Sequence, residues 1–278
     1  MTVKVTPRMP FAEYLALPGE SSSSLREMIK SPLQYRHWRE KGREDTDTLR
    51  VGRAAHTAIL EMQQFLREYA LYDGRRAGKE WDKFKSENDD KTILKPEQYE
   101  LALACRDAVM SHAVAGPLFV GKGANELTIE WELGEHKLRS RIDRLIPSTA
   151  IIDLKTSRDV TPRAFPHSAA RFGYFAQLAL YQDAAKAAGY GELPVKLVAV
   201  QSSAPHDVVV YDIEYDELER GRVEYEGALC RLAECKQKNE WPGVMPYESV
   251  RLRLPDWAVA DEDDEPGQVG VLGAQPVE

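Results

Sequence analysis

Cysteine is scarce in this 278-residue sequence: Cys105, Cys230 and Cys235 are the whole complement. Three scattered thiols make no disulfide framework, lack the paired spacing of a zinc site and fall short of the four thiolates of an iron–sulfur cluster. They read as plain helix or core side chains. Long apolar runs are absent too, and nothing approaches the ~20 residues that cross a bilayer. The opening stretch, MTVKVTPRMPFAEYLALPGE, has no apolar region of the signal-peptide kind. The expectation is a cytoplasmic protein with no membrane partner. Positive charge is in deficit, with 37 Lys and Arg against 45 Asp and Glu, a net charge of −8. Taken as a sum, that disfavours a nucleic-acid partner. The distribution matters more. Seven of the eight excess negative charges come from the acids between Asp256 and Glu278, where there is no Lys or Arg, leaving about −1 for the residues before them. The body is near neutral, so a positive groove around an acidic site is compatible with the composition.

What is present suits a folded protein: 43% hydrophobic and 29% charged residues, and enough length for one large core. The first 20 residues read as a loose lead-in. Ser21 to Ser24 then offer a helix cap before LREMIKSPLQYRHWREK, with Pro32 as a break. In VGRAAHTAILEMQQFLREYA, Val51, Ala55, Ile59, Met62, Leu66 and Tyr69 fit one face of a helix. DGRRAGKEWDKFKSENDDKT reads as loop and short helix, and residues 96–115 as a helix closed by Gly116-Pro117. The period then changes. Residues 126–133, 137–146 and 150–156 read as a meander of strands with turns at Gly134-Glu135 and Pro147-Ser148-Thr149. A helix over 172–189, strands over 195–203 and 207–214 and a helix over 215–240 follow. Residues 259–278 read as an acidic, disordered tail. The fold expected is one α/β domain over 21–258, a mixed central β-sheet flanked by helices.

The chemistry concentrates in RSRIDRLIPSTAIIDLK, residues 139–155. Residues two apart in a strand share a face, so Asp153 and Lys155 point one way and Ile152 and Leu154 the other. Antiparallel pairing about the Pro147–Thr149 turn puts Asp143 roughly opposite Asp153. Two carboxylates so placed repel unless a proton or a cation intervenes. A divalent ion of the Mg²⁺ type prefers oxygen donors, can clamp a phosphate and can acidify a water. Lys155 beside it would orient that water or offset developing charge. A D-x-K tripeptide in a strand is by itself a common surface pattern; the Asp ten residues earlier makes it more. Gln177 and Tyr181 are four apart on the following helix, hence on one face. His56 follows Gly52 by one helical turn.

Taken in order, these residues resemble the PD-(D/E)XK nuclease superfamily, and more narrowly the RecE-type exonuclease domain of phage and prophage recombination systems. The resemblance spans about Ser21 to Ala258. It runs through Ser23-Ser24-Leu25 with Ser31-Pro32 and Tyr35, then Gly52-Arg53-Ala54-Ala55-His56 with Leu60-Glu61, then Gly78-Lys79-Glu80-Trp81. It continues through Glu126, Ile129 and Trp131, Arg141-Ile142-Asp143, Asp153-Leu154-Lys155-Thr156, and Gln177 to Tyr181. It closes on Glu240-Trp241-Pro242 and Leu254-Pro255-Asp256-Trp257-Ala258.

The resemblance implies a PD-(D/E)XK nuclease core in which Asp143, Asp153 and the Leu154 carbonyl ligate metal, with His56 and Glu126 beside them. It makes Lys155 the group that positions the attacking water, and Gln177 and Tyr181 supports of the site or contacts to DNA. It implies Mg²⁺ or Mn²⁺, two ions per site, and double-stranded DNA ends as substrate. It implies degradation 5′ to 3′ that leaves a 3′ single strand for a RecT-type annealing protein, and a ring-shaped homo-oligomer. Ser23, Ser24, Arg26 and Lys30, near a helix N-terminus, are candidates to hold a terminal 5′ phosphate. The alternatives are a repair or CRISPR-adaptation nuclease of the superfamily, a restriction-type endonuclease, and a catalytically silent DNA-binding protein on the same fold. The missing cysteine quartet argues against the iron–sulfur branch, and the intact acidic cluster against silence.

Overall fold

The backbone changes where the sequence period changes. A computed structural model describes residues 3–42 and 45–252. In chain order the elements are β1 (Lys4–Thr6), α1 (Phe11–Ala16), α2 (Ser22–Lys30), α3 (Pro32–Lys41), α4 (Asp47–Leu60), α5 (Met62–Glu68), β2 (Tyr69–Leu71), α6 (Lys79–Glu87), β3 (Thr92–Leu94), α7 (Pro96–Ser111), α8 (Ala115–Phe119), β4 (Ala124–Leu133), β5 (His136–Ile146), β6 (Ala150–Ser157), α9 (Phe165–Arg171), α10 (Tyr174–Ala187), β7 (Val195–Gln201), β8 (Val208–Ile213) and α11 (Tyr215–Lys238). The serine run does cap a helix. Ser21 accepts the Ser24 N–H while Ser24 Oγ accepts the Ser21 N–H, a reciprocal box at the start of α2. Ser31 caps α3, whose first turn begins with Pro32.

Six strands form the central sheet in the order β1-β4-β5-β6-β7-β8. All neighbours are antiparallel except β6 and β7. A parallel pair needs a crossover, which α9 and α10 supply. Both faces of β6 are buried. Ile151 joins Leu197 and Ala199 in one core with Leu25, Met28, Leu178, Tyr225 and Leu229 of α2, α10 and α11. Ile152 and Leu154 join Val198 and Val200 in a second core with Ala54, Ala58, Cys105 and Val109 of α4 and α7. Helices therefore cover the sheet on both sides, the mixed α/β architecture expected. The three cysteines are free, Cys105 and Cys235 buried and Cys230 exposed. No helix among the described residues is long and apolar enough to cross a membrane.

Three local expectations differ. The lead-in is structured: β1 pairs with the edge of β4, Lys4 opposite Glu130 and Thr6 opposite Thr128. The last carbonyls of α1, at Tyr14 and Leu15, and that of Leu17 accept from Arg139. Two elements this short, with Tyr14 the one buried residue of α1, leave no period to read. The helix read across 51–69 breaks at Glu61, whose backbone leaves the helical region at φ −145° and ψ 68°, separating α4 from α5. Gly116-Pro117 does not close the helix over 96–115: α7 ends at Ser111, and the pair lies inside α8. Two distant motifs meet. Trp241 stacks on Tyr35, ring centres 5.8 Å apart, and the Pro242 carbonyl accepts the Leu33 N–H.

Residues up to Gly243 form one unit. The described part of the second, residues 244–252, is exposed and has no helix or strand. The Leu254–Ala258 motif and the acidic stretch 259–278 lie outside the described residues.

Candidate active site

Two interruptions in the sheet meet at one point. The β4–β5 ladder holds a single register but passes from Asn125↔Arg144 to Leu127↔Ile142, skipping the position where Glu126 would face Asp143. There Glu126 has φ +50°. A non-glycine residue in the left-handed region carries strain of about 1–2 kcal/mol. The β5–β6 ladder spans only Arg144↔Ile152, Leu145↔Ile151 and Ile146↔Ala150. The next step would set Asp143 against Asp153, and the strands part instead. In a strand the N–H and C=O of one residue point to the same side, so the split frees both groups of Leu154. Its N–H donates to Asp143 Oδ2 at 2.7 Å, and its carbonyl lies 3.2 Å from His56 Nε2.

Helices from both layers reach into the split. From α4, His56 Nε2 sits 3.0 Å from Asp143 Oδ2, and His56 Nδ1 sits 3.5 Å from Glu126 Oε1. From α10, Gln177 Nε2 donates to Asp153 Oδ1 at 3.1 Å and to Tyr181 Oη at 2.8 Å. Lys155 Nζ lies 2.6 Å from Asp153 Oδ2 and 4.9 Å from the centre of the Tyr174 ring. The structure thus brings together Asp143, Asp153, the Leu154 carbonyl, Lys155, His56, Glu126, Gln177 and Tyr181.

Burial sets the electrostatics. Asp153 is fully buried. Desolvation and the neighbouring Asp143 charge outweigh the pull of Lys155, and its pKa rises to about 6. Desolvation would also raise Asp143, but His56, Lys155 and the Leu154 N–H hold it below the usual carboxylate range. Burial alone would lower Lys155; the two aspartates reverse that and raise it. The Tyr181 hydroxyl is pushed well up by burial and by both aspartates, so it stays neutral. Burial would lower His56 as well, yet the charges of and hydrogen bonds to Asp143 and Glu126 raise it to about 10. Both ring nitrogens face acceptors, the geometry of an imidazolium.

The sign of the His56 effect follows from linkage. Its folded pKa lies above the ordinary ~6.5, so the stability it contributes is complete below that value and is lost as pH rises toward 10. In chelator, wild-type Tm should fall from pH 6.5 to 10 more steeply than that of His56→Gln. Parallel Tm curves would show that His56 is not charged. A second expected result concerns the strained residue. Glu126→Gly and Glu126→Ala lose the same carboxylate, but only glycine relaxes φ +50°. The Gly variant should be more stable by about 1 kcal/mol in denaturant titration, and equal midpoints would remove the strain assignment.

Among the described residues, no three His, Cys, Asp or Glu side chains form a ready-made cage for a metal. The acids are instead held by His56, Lys155 and Gln177. The donors nonetheless fit a hard divalent cation. Two buried carboxylates and a strand carbonyl converge, with the cationic Lys155 standing against Asp153 Oδ2. Such an oxygen set suits Mg²⁺ or Mn²⁺.

Of the residues near the start of α2, Ser23 and Arg26 line the same cleft as His56 and Lys155. Ser24 is engaged in the capping box, and Lys30 is ion-paired with Glu27 at 2.8 Å. Neither of these two is among the residues that line that cleft. Sequence reasoning gave no role to Arg141, which pairs with Glu126 and donates to the Met9 carbonyl; its place in the R-x-D spacing was the available signal. Tyr174, under Lys155, had none beyond being aromatic at the start of a helix.

Comparison with known proteins places this geometry. Residues 21–246 match the family described as a PDDEXK-like domain of unknown function (DUF3799). No curated protein matches. Among solved structures, a candidate exonuclease from Eubacterium rectale superimposes with a TM-score of 0.64 at 17% identity, over 90% of this chain and 96% of that one. A phage-related exonuclease from Haemophilus somnus 129PT aligns over 82% of this chain and 100% of that one, at 16% identity. Its TM-score of 0.35 is too low to carry an argument. At such identities the likeness speaks for the fold.

Proposed function

Because the chain belongs to this PDDEXK-like family, we propose that it is a divalent-metal-dependent exonuclease acting on the ends of linear double-stranded DNA. The observation that supports this most is the split between β5 and β6. It sets Asp143, Leu154 and Lys155 on the wall of a cleft of about 1220 Å³, with Asp153 buried behind Lys155 at 2.6 Å, and Arg8, Arg26, Arg53, Arg67 and Arg141 also line that cleft. Guanidinium groups suit phosphate; Arg8, Arg53 and Arg141 are each paired with an acid here, Glu61, Asp45 and Glu126.

Asp143, Asp153 and the Leu154 carbonyl would hold Mg²⁺ or Mn²⁺, one ion or two, with Glu126 and His56 adjacent. When bound, such an ion neutralises phosphate charge and makes a water more acidic. The rest falls to the chain. Lys155, its pKa raised by the aspartates, keeps its proton at neutral pH. It therefore orients a water and offsets charge on the phosphate rather than taking a proton. Gln177 fixes Asp153 Oδ1, and Tyr181 fixes Gln177. In the same reading, which here leans on the resemblance to RecE-type domains, one strand is degraded 5′ to 3′, the 3′ strand passes to a RecT-type annealing protein, and copies close into a ring.

The test compares linear and covalently closed circular duplex with Mg²⁺ or Mn²⁺. Nucleotide release is expected from the linear form, with the circle intact. Cutting of the circle would make the protein an endonuclease. Inertness toward both would favour a DNA-binding protein without catalysis.

A further inference from the structure

At the cleft, a short ladder of rings and cations leads outward from the catalytic lysine. The Tyr174 ring lies 4.9 Å from Lys155 Nζ. Phe172 stacks on Tyr174, centres 5.9 Å apart and planes at 29°. The Arg171 guanidinium lies 5.8 Å from the Phe172 ring. End to end, the two inner spacings put the Phe172 ring at most about 11 Å from Lys155 Nζ. Phe172 is 45% exposed, so it forgoes the burial that anchors such a ring elsewhere.

Its position is fixed by the backbone. The Phe172 N–H donates to Ser168, and the Gly173 N–H to Ala170. The left-handed Gly173, φ +67°, turns the chain from α9 into α10 beside the Arg26 side chain. One exposed phenylalanine on a surface is ordinary. One stacked on Tyr174, whose own ring lies against Lys155, with Arg171 beside it and Arg26 lining the same cleft, is a different object.

We propose that Phe172 is a stacking platform for a nucleobase, which grips the base next to the scissile phosphodiester so that the protein works on a strand end peeled from the duplex. This rests on the nuclease reading above. Every base offers a π-face, so the grip is indifferent to sequence, and Arg26 in the cleft and Arg171 beside the ring are the cations available to the flanking phosphates.

Two measurements on the full chain test it, with Phe172→Ala and Phe172→Trp beside wild type. In chelator, a single-stranded oligonucleotide ending in 2-aminopurine is titrated with each protein. Wild type and the Trp variant should quench its fluorescence, and the Ala variant should not. With Mg²⁺, kcat/KM is measured on duplexes ending in a normal or an abasic nucleotide. The Ala variant should lose at least about five-fold on normal ends, chiefly in KM, with Trp restoring it. On abasic ends the Ala variant should equal wild type. Cleavage in which the abasic end costs both proteins equally would overturn the platform and leave the nuclease. Quenching that depends on Phe172, in a protein that cleaves nothing, would overturn the nuclease and leave the platform. Equal quenching by the Ala variant and wild type overturns the proposal.

Discussion

Asp153→Asn should lower kcat on linear duplex by at least about 10³-fold, and in chelator at pH 7 it should melt at a higher temperature than wild type. The two effects share one cause. Asp153 is fully buried, and desolvation, with Asp143 beside it, raises its pKa to about 6. A carboxylate whose folded pKa exceeds its unfolded value of about 3.9 opposes folding once ionised. The opposition is absent below pH 4, grows as pH rises to 6 and is complete above it. Asparagine keeps the shape and removes the charge, so the gain is on the order of 1 kcal/mol at pH 7 and vanishes near pH 4. Thermal unfolding at the two pH values reads this directly. Undiminished activity in the variant would sink the site assignment, and a Tm difference independent of pH would sink the electrostatic account.

The second large effect lies outside the cleft. Gly221 of α11 crosses the first turn of α10 so closely that a Cβ would collide with the Phe175 carbonyl and come within 2.8 Å of the Ala176 nitrogen. Both obstacles are backbone, so no rotamer relieves them. Gly221→Ala should destabilise the protein by about 3 kcal/mol or more. Because Gln177 follows two residues after Phe175, activity should fall along with stability. Gly227, on the same helix, has nothing within 4 Å of a Cβ, so Gly227→Ala should stabilise by up to about 1 kcal/mol. Denaturant midpoints for the pair decide it. Equal shifts would mean that helix propensity, not the crossing, governs both positions.

How much of this was legible depended on how local the cause was. The strand period of two put Asp153 and Lys155 on one face and Leu154 on the other, and the two cores confirm that parity. The four-residue spacing of Gln177 and Tyr181 gave a shared helix face, and one hydrogen bond joins them. The position of Asp143 across from Asp153 followed from the turn. What the turn could not give is that pairing stops one step short. That split has no residue signal of its own, and the neighbouring gap in the β4–β5 ladder falls at Glu126, whose left-handed backbone carries no glycine or asparagine signal. The Leu154 carbonyl came only with the resemblance, and the bond from its N–H to Asp143 had no local signal, since it follows from where β5 leaves β6. The breaks at Glu61 and before Gly116 escaped because apolar spacing runs on through both, and tertiary packing decides helix ends there. The arginine lining of the cleft comes from α1, α2, α4, α5 and β5 and their flanks, and no window along the chain shows it.

The pairing of β1 with β4 also governs the order of assembly. Lys4 meets Glu130, and the carbonyls around the end of α1 meet Arg139. During synthesis those partners emerge long after β1 does, and closing so long a loop costs entropy before any contact repays it. The cleft wall to which α1 contributes Phe11 and Tyr14 therefore cannot close before residues 124–139 are available to it.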